Sequence, residues 1–262
     1  MPFILITAGE SLPTVPVLAG ALAAATGTDP STAALTARKC WGVVGAGLDE
    51  AAADALAAKC AEFGVATLKI QADSLPALPA PVLAKKIVFE GGQAVFSVLS
   101  GQVAAARPED ITVLAAAPIK QEFLKIIKTT EGPSDGEKAV RLGIMAVTGL
   151  PIGMGKNKEV KKEVRSSELS FYMDILLKNG RERLRFTSED FDFSGLKEKK
   201  TYSSQMNFRV LAAELAAFAP AAFKNAGLLA MVGGKPLTML PYDSLADLEK
   251  ELKRLLLAKD RE

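Results

Sequence analysis

The stretch KCWGVVGAGLDEAAADALAAKC, Lys39–Cys60, decides how the first third of the chain is read. A β-branched run enters a Gly-Ala-Gly turn, and an Ala/Leu-rich helical segment follows. That outline invites comparison with a dinucleotide-binding turn, which needs G-x-G-x-x-G so that backbone can approach a pyrophosphate at a helix N-terminus. Gly45 and Gly47 fit the first two places. The third is Glu50, preceded by Asp49, and two carboxylates there repel phosphate. Asp73 stands where a ribose-binding acid would be sought, but it abuts a proline-rich segment. The favoured reading is a tight strand-to-helix connection in a small α/β module, its glycines serving backbone geometry.

Working outward, FILIT (3–7) reads as a strand and TVPVLAGALAAAT as an uncharged helix stopped by Gly27. Pro30 opens a second short helix, PSTAALTARK. WGVVGAGL is a strand. Asp49 and Glu50 start a third helix, with an apolar stripe at Leu48, Ala52, Leu56, Cys60 and Phe63. Gly64 ends it and VATLKIQ closes the set, giving the order β-α-α-β-α-β. SLPALPAP, with three prolines in eight residues, reads as a stiff linker. The expected division is a module over 1–75, a linker over 76–81 and a β-rich domain over 82–262. Beyond the linker, KIVFEGGQAVFSVLSG predicts a hairpin at Gly91-Gly92. ELSFYMDILLKNGRERLRFT predicts another, with Asn179-Gly180 at a type I′ tip. A Gly/Lys-rich insertion is expected over about 120–165. QMNFRVLAAELAAF and SLADLEKELKRLLLA are helical. Ser244 and Asp247 cap the second, whose inner stripe is Leu245, Leu248, Leu252, Leu255 and Leu256, with Glu249, Lys250, Lys253 and Arg254 opposite.

The chain's 262 residues are 49% hydrophobic and 24% charged, enough for a packed core. Net charge is +2, split −3 over residues 1–80 and +5 over 81–262, without the clustered basic face of a nucleic-acid binder. The start MPFILITAGE has no basic region, no apolar run suits a bilayer, and two cysteines make no disulfide framework. A cytoplasmic location without membrane association is expected.

Histidine is absent, which removes His-dependent triads, His proton shuttles and nearly every common zinc site. Cys60 lies on an apolar stripe and Cys40 has no histidine partner, so neither is expected to be a nucleophile. GLPIGMGKNK fails the phosphate-loop pattern twice, with Leu150 in place of the first glycine and Asn157 in place of the hydroxyl residue. In Lys156–Arg165 five bases outweigh two acids, which reads as a solvated charge run. Glu189, Asp190 and Asp192 alternate with Phe186, Phe191 and Phe193, the pattern of a turn with rings inside and acids outside. No catalytic, cofactor-binding or metal-ligating residue is assigned.

The segment PTVPVLAGALAAATGTDPSTAALTARKCWGVVGAGLDEAAADALAAKCAEFGVATLKI resembles the C-terminal domain of the bacterial ribosomal stalk protein, whose fold the ClpS-type protease adaptors share. LDEAAADALAAKCAEFGVATLKI matches best: an acidic helix start, an Ala/Leu-rich helix, a Gly stop and a final strand. The resemblance covers about 70 residues and implies a protein-binding module. The stalk domain binds its partners through lysines on its first helix, and ClpS-type adaptors use a pocket histidine. Neither feature is present here, so the resemblance carries the fold and not the binding site. The second half resembles a pleckstrin-homology-like barrel in its order of strands before a helix, an analogy of architecture only.

The expectation is an α+β protein with two domains, non-catalytic and without a cofactor, acting as an adaptor or assembly component through a protein partner. The alternatives are a nucleotide-dependent enzyme using the Gly45–Gly47 turn and a phosphate or nucleic-acid binder using Lys156–Arg165.

Overall fold

The computed structural model describes residues 2–74, 77–101, 103–131, 158–236 and 242–261. Met1–Lys120 and Leu169–Glu262 form one compact unit, and Gln121–Glu168 a second. Within the second, residues 121–131 and 158–168 are strand. The expected insertion over 120–165 falls mostly on this unit, and its middle lies outside the described residues.

The first six elements follow the expected order: β1 (Phe3–Thr7), α1 (Val15–Thr26), α2 (Pro30–Lys39), β2 (Val43–Leu48), α3 (Glu50–Glu62) and β3 (Thr67–Gln71). Helices α2 and α3 each start at an aspartate cap. Asp29 accepts from the backbone N–H of Ser31 and Thr32, with Pro30 in the first turn of α2. Asp49 accepts from Ala52 N–H at 2.8 Å and caps α3. The strands order β2-β1-β3, with β1 antiparallel to both neighbours. β2 and β3 therefore run parallel with β1 between them, so β2-α3-β3 is a split βαβ unit.

The α3 stripe is rotated from the expected one. Ala53, Leu56 and Cys60 are buried, whereas Ala52 is exposed and Phe63 lies at the surface over Gly20. Strand β2 also begins later than WGVVGAGL suggests. Trp41 and Gly42 both have positive φ, 50° and 78°, and this left-handed turn precedes the strand.

The remaining strands are β4 (Val82–Glu90), β5 (Gln93–Val98), β6 (Val103–Ala106), β7 (Ile111–Glu131), β8 (Lys158–Leu177), β9 (Glu182–Thr187) and β10 (Phe223–Lys224). They form one sheet in the order β10-β7-β8-β9-β4-β5-β6. Both predicted hairpins are present: β4 pairs antiparallel with β5 across Gly91-Gly92, and β8 with β9 across Lys178–Arg181. Asn179 and Gly180 take φ of 56° and 79°, the left-handed pair that a type I′ tip demands. The described helices α4 (Ser204–Phe218), α5 (Ala226–Val232) and α6 (Leu245–Lys259) complete the chain.

Side-chain alternation sets the layers of the larger unit. In β1, Leu5 faces the core under α1, α2 and α3, while Ile6 meets Ile70 and Leu257 of α6 on the other face. In β7, Val113, Ala115, Ala117 and Ile119 meet the leucines of α6, and Leu114 and Ala116 share the opposite core with Phe208 and Leu211 of α4 and Leu228 of α5. The order is thus helices α1–α3, small sheet, α6, large sheet, helices α4 and α5. The uncharged α1 buries Leu18, Ala19, Ala21 and Leu22 within the first of these cores.

Helix α6 is the centre of this arrangement. Leu248, Leu252, Leu255 and Leu256 are buried as the spacing predicts, each worth about 1.5–3 kcal/mol. The expected solvent face is corrected at one position: Arg254 is fully buried, with Leu257 nearby on the same side. The boundary between compact units falls at Lys120–Gln121 and at 168–169, and not at the expected 76–81. The small sheet uses the second side of α6 as its cover.

A fragment ending at Asp73 leaves Ile6 and Ile70 without Leu257. It is expected to lose cooperative unfolding, read by near-ultraviolet circular dichroism during a urea titration. A sharp transition with native-like near-ultraviolet signal would show that the small sheet does not need α6.

Candidate functional site

The VVGAG turn does line an opening, but not the one its glycines suggest. Gly45 closes against Leu48 and Leu56, where an added Cβ would lie 2.7 and 2.9 Å from their methyl carbons. β2 bulges at Val44 and at Gly47, where an extra residue interrupts its register with β1. The N-terminus of α3 is occupied by its own Asp49 carboxylate. With β1 and β2 antiparallel, no nucleotide crevice of the parallel-sheet kind forms here. Asp73, the mimic of a ribose acid, follows the end of β3 in a short 3-10 turn.

The opening is a groove of about 520 Å³ between α2, the outer edge of β2 and α6. Leu35 stands at its α2 side, 57% exposed. Val43, Val44 and Ala46 form the β2 wall, and the charged residues along it are Lys39 and Lys250. Lys39 pairs with Asp243 at 2.9 Å. The Lys250 ammonium donates to the Lys39 carbonyl at 3.5 Å and, among the described residues, has no carboxylate partner. Cys40 also lines the groove, and burial pushes its thiol above the usual range, which favours the protonated form. Cys60 is buried, free and shifted the same way by burial.

A polar core lies where Trp41 meets the second half of the chain. Trp41 stacks on Tyr242 with ring centroids 3.9 Å apart. The Tyr242 hydroxyl donates to Glu251 at 2.5 Å and accepts from Asn225 Nδ2 at 2.9 Å and Gly227 N–H at 3.2 Å. Glu251 also accepts from Ala226 N–H, and Asn225 bridges to both backbone groups of Ala116. Arg254 donates to the carbonyls of Gly9 at 2.7 Å and Glu10 at 2.9 Å. Burial pulls the Arg254 guanidinium below its ordinary range, and Glu251 opposes that shift. A second buried cluster joins Asp174 to Arg183 and Arg185, with Glu249 of α6 reaching the same pair. Burial disfavours the Arg185 charge, but Asp174 and Glu249 outweigh it. Two acids and two bases balance, so the cluster is a fastening between α6 and the large sheet.

The remaining sequence candidates fall apart spatially. Asp192 caps a 3-10 turn through Ser194 and pairs with Lys86 at 3.3 Å, and Glu189 accepts from Ser188. Hydrogen bonds from Ser194 hold the Asp192 carboxyl below the usual range. Asp190 is exposed, while Phe186, Phe191 and Phe193 are buried, as the alternation predicts. Among the described residues, no group of acidic or cysteine side chains could hold a metal, and no helix is long and apolar enough to cross a membrane. The phosphate-loop-like stretch and the start of Lys156–Arg165 lie outside the described residues; from Lys158 the run continues as backbone of β8. No family model matches the chain, and no curated protein or solved structure matches it.

Gly42→Ala is expected to destabilise the fold by roughly 2–4 kcal/mol, combining left-handed strain with overpacking. Its Cβ would sit 2.3 Å from Arg254 Cδ and 2.6 Å from Thr7 Oγ1. Urea unfolding of this variant beside Gly47→Ala, which has open space, separates packing from backbone strain; equal losses would show that the contact with Arg254 is unimportant.

Tyr242 supplies a pH test. Burial, with the Glu251 charge beside it, raises its hydroxyl well above its ordinary value near 10. The folded state therefore favours the protonated phenol. That contribution is complete below the unfolded value and falls as pH rises above 10 toward the folded value. Tyr242→Phe is expected to flatten the alkaline fall in unfolding free energy relative to the parent between pH 9 and about 11. Parallel curves for the two proteins would place the alkaline sensitivity elsewhere.

Proposed function

We propose that the chain is a non-catalytic protein-interaction component, an adaptor or assembly factor, and that it binds an extended partner segment in the α2/β2 groove. The observation that carries this reading is the groove's lining: an exposed leucine beside an apolar strand edge, with Lys250, among the described residues, left without a carboxylate. Concave apolar surface with a few placed charges is the usual form of a recognition site. The bulges at Val44 and Gly47 limit ladder pairing along β2, so side-chain contacts supply most of the affinity. A segment suited to this lining presents an apolar residue to Leu35 and Val43 and an acidic residue to Lys250. The resemblance to stalk and ClpS-type modules supports the class of protein, while the groove differs from both of their binding sites. The chain acts in the cytoplasm on this reading.

Peptide-display selection against the immobilised protein is expected to enrich short sequences pairing an acid with large apolar residues. Binding of the selected peptides, followed by fluorescence anisotropy, should weaken about tenfold or more on Leu35→Glu and on Lys250→Glu, equivalent to about 1.4 kcal/mol. Unfolding should be little changed, because both side chains are at the surface. Selected peptides that bind both variants as tightly as the parent would reject the groove as the site.

A further inference from the structure

We propose that two copies of this chain associate edge to edge through β6, across a two-fold axis, so that their large sheets become continuous. This goes beyond the groove on the small sheet and uses a different surface.

The argument starts from how the sheet edges are protected. An edge strand offers unpaired N–H and C=O groups, and proteins blunt it with bulges, charges, proline or shortness. Among the described residues, three of the four edges are treated in this way. β2 carries two bulges. β3 carries Lys69, paired with Asp54 and Glu50. β10 has only two residues. β6, though only four residues long, has no bulge, charge or proline. Its register with β5 is unbroken from Val103 to Ala106, and its sequence, VAAA, contains no charge and no proline.

Large apolar side chains gather at this edge. Val103 is 65% and Leu99 64% exposed, and Leu99 N–H donates to the carbonyl of Leu83, itself exposed. Beside them lies a hollow of about 260 Å³ walled by Val82, Val98, Val103 and Ala104, and also by Arg181, Glu182 and Arg183 of the β8–β9 turn and β9, three strands away from β6. An exposed apolar patch on an unprotected strand is an association surface.

Charge selects the occupant. From Gly91 to Ala106 the chain has no charged residue, in a protein that is 24% charged. A partner chosen by charge has nothing to read in this stretch. A second copy meets no penalty, because antiparallel self-pairing opposes no like charges. The two-fold axis of such a pair stands perpendicular to the sheet and passes midway between the two copies of one residue, so each side chain stays on its own face. An axis between the two Ala104 residues sets Val103 of one copy opposite Ala105 of the other, both outer-face positions. The small alanines leave room for the backbones to reach ladder spacing. The pairing is isologous and closes at two copies.

Sedimentation over a wide range of concentrations tests this. The full chain is expected to reach a dimer that grows with concentration and never exceeds two copies. Ala105→Lys and Ala105→Glu place like charges across the axis, and each is expected to sediment as a monomer with unchanged far-ultraviolet circular dichroism. Mixing the two should restore a dimer, seen as a mixed species in native mass spectrometry. Val103→Lys and Val103→Glu repeat the test if an Ala105 variant fails to fold. A monomeric parent at every concentration, open-ended polymers, or a dimer indifferent to these substitutions would overturn the proposal; a parent that remains monomeric leaves the groove's peptide binding untouched.

Discussion

The Arg254 guanidinium is the contact on which the arrangement of the larger unit turns. It is fully buried, which costs several kcal/mol before any partner is counted. The carbonyls of Gly9 and Glu10 and the nearby Glu251 offset that cost. The residue lies about 140° around the helix from the centre of the leucine stripe, taking 100° per residue. One helix thus has two working sides: leucines toward the large sheet, Arg254 and Leu257 toward the small one. Glu10 extends the same link, since its side chain accepts from Lys224 N–H at 2.6 Å. The loop after β1 therefore bonds to α6 and to β10.

Much of this architecture is legible in the sequence, because its causes are local. The order β-α-α-β-α-β follows from Asp29-Pro30, Asp49 and the glycine stops. The Asn179-Gly180 tip fixes a register as well as a turn, pairing Leu177 with Glu182 and, counting outward, Asp174 with Arg185. The buried ion cluster could have been found from that count, since an aspartate inside SFYMDILL needs a cation and the register supplies one. Arg254 was not legible. An arginine between leucine stripes reads as a solvent residue, and the carbonyls that accept its hydrogen bonds lie more than 240 positions away.

The small sheet illustrates the same limit. VVGAG attracts attention because it matches part of a known pattern, yet its glycines serve close packing against Leu56 and a bulge. The decisive pair is Trp41-Gly42 just before it. A left-handed tryptophan is strained backbone, of order 1–3 kcal/mol. It persists because the ring stacks on Tyr242 and because Gly42 must clear Arg254. Both reasons are long-range, so no pattern within the stretch announces them. The groove is hidden for the same reason, since its walls come from α2, β2 and α6.

Core and groove are linked through the rotation of α6. Apolar packing is non-directional, and a helix with leucines over much of its circumference could settle at several angles. The polar contacts remove that freedom. Glu249 must reach Arg183 and Arg185, Glu251 must meet Tyr242 and Ala226, and Arg254 must meet Gly9 and Glu10. Lys250 lies one turn before Arg254, on the same side of the helix. Fixing Arg254 under the Trp41-Gly42 turn therefore brings Lys250 to the mouth of the α2/β2 groove, beside the Lys39 carbonyl. A residue that only stabilises the core in this way decides where the groove's Lys250 ammonium stands.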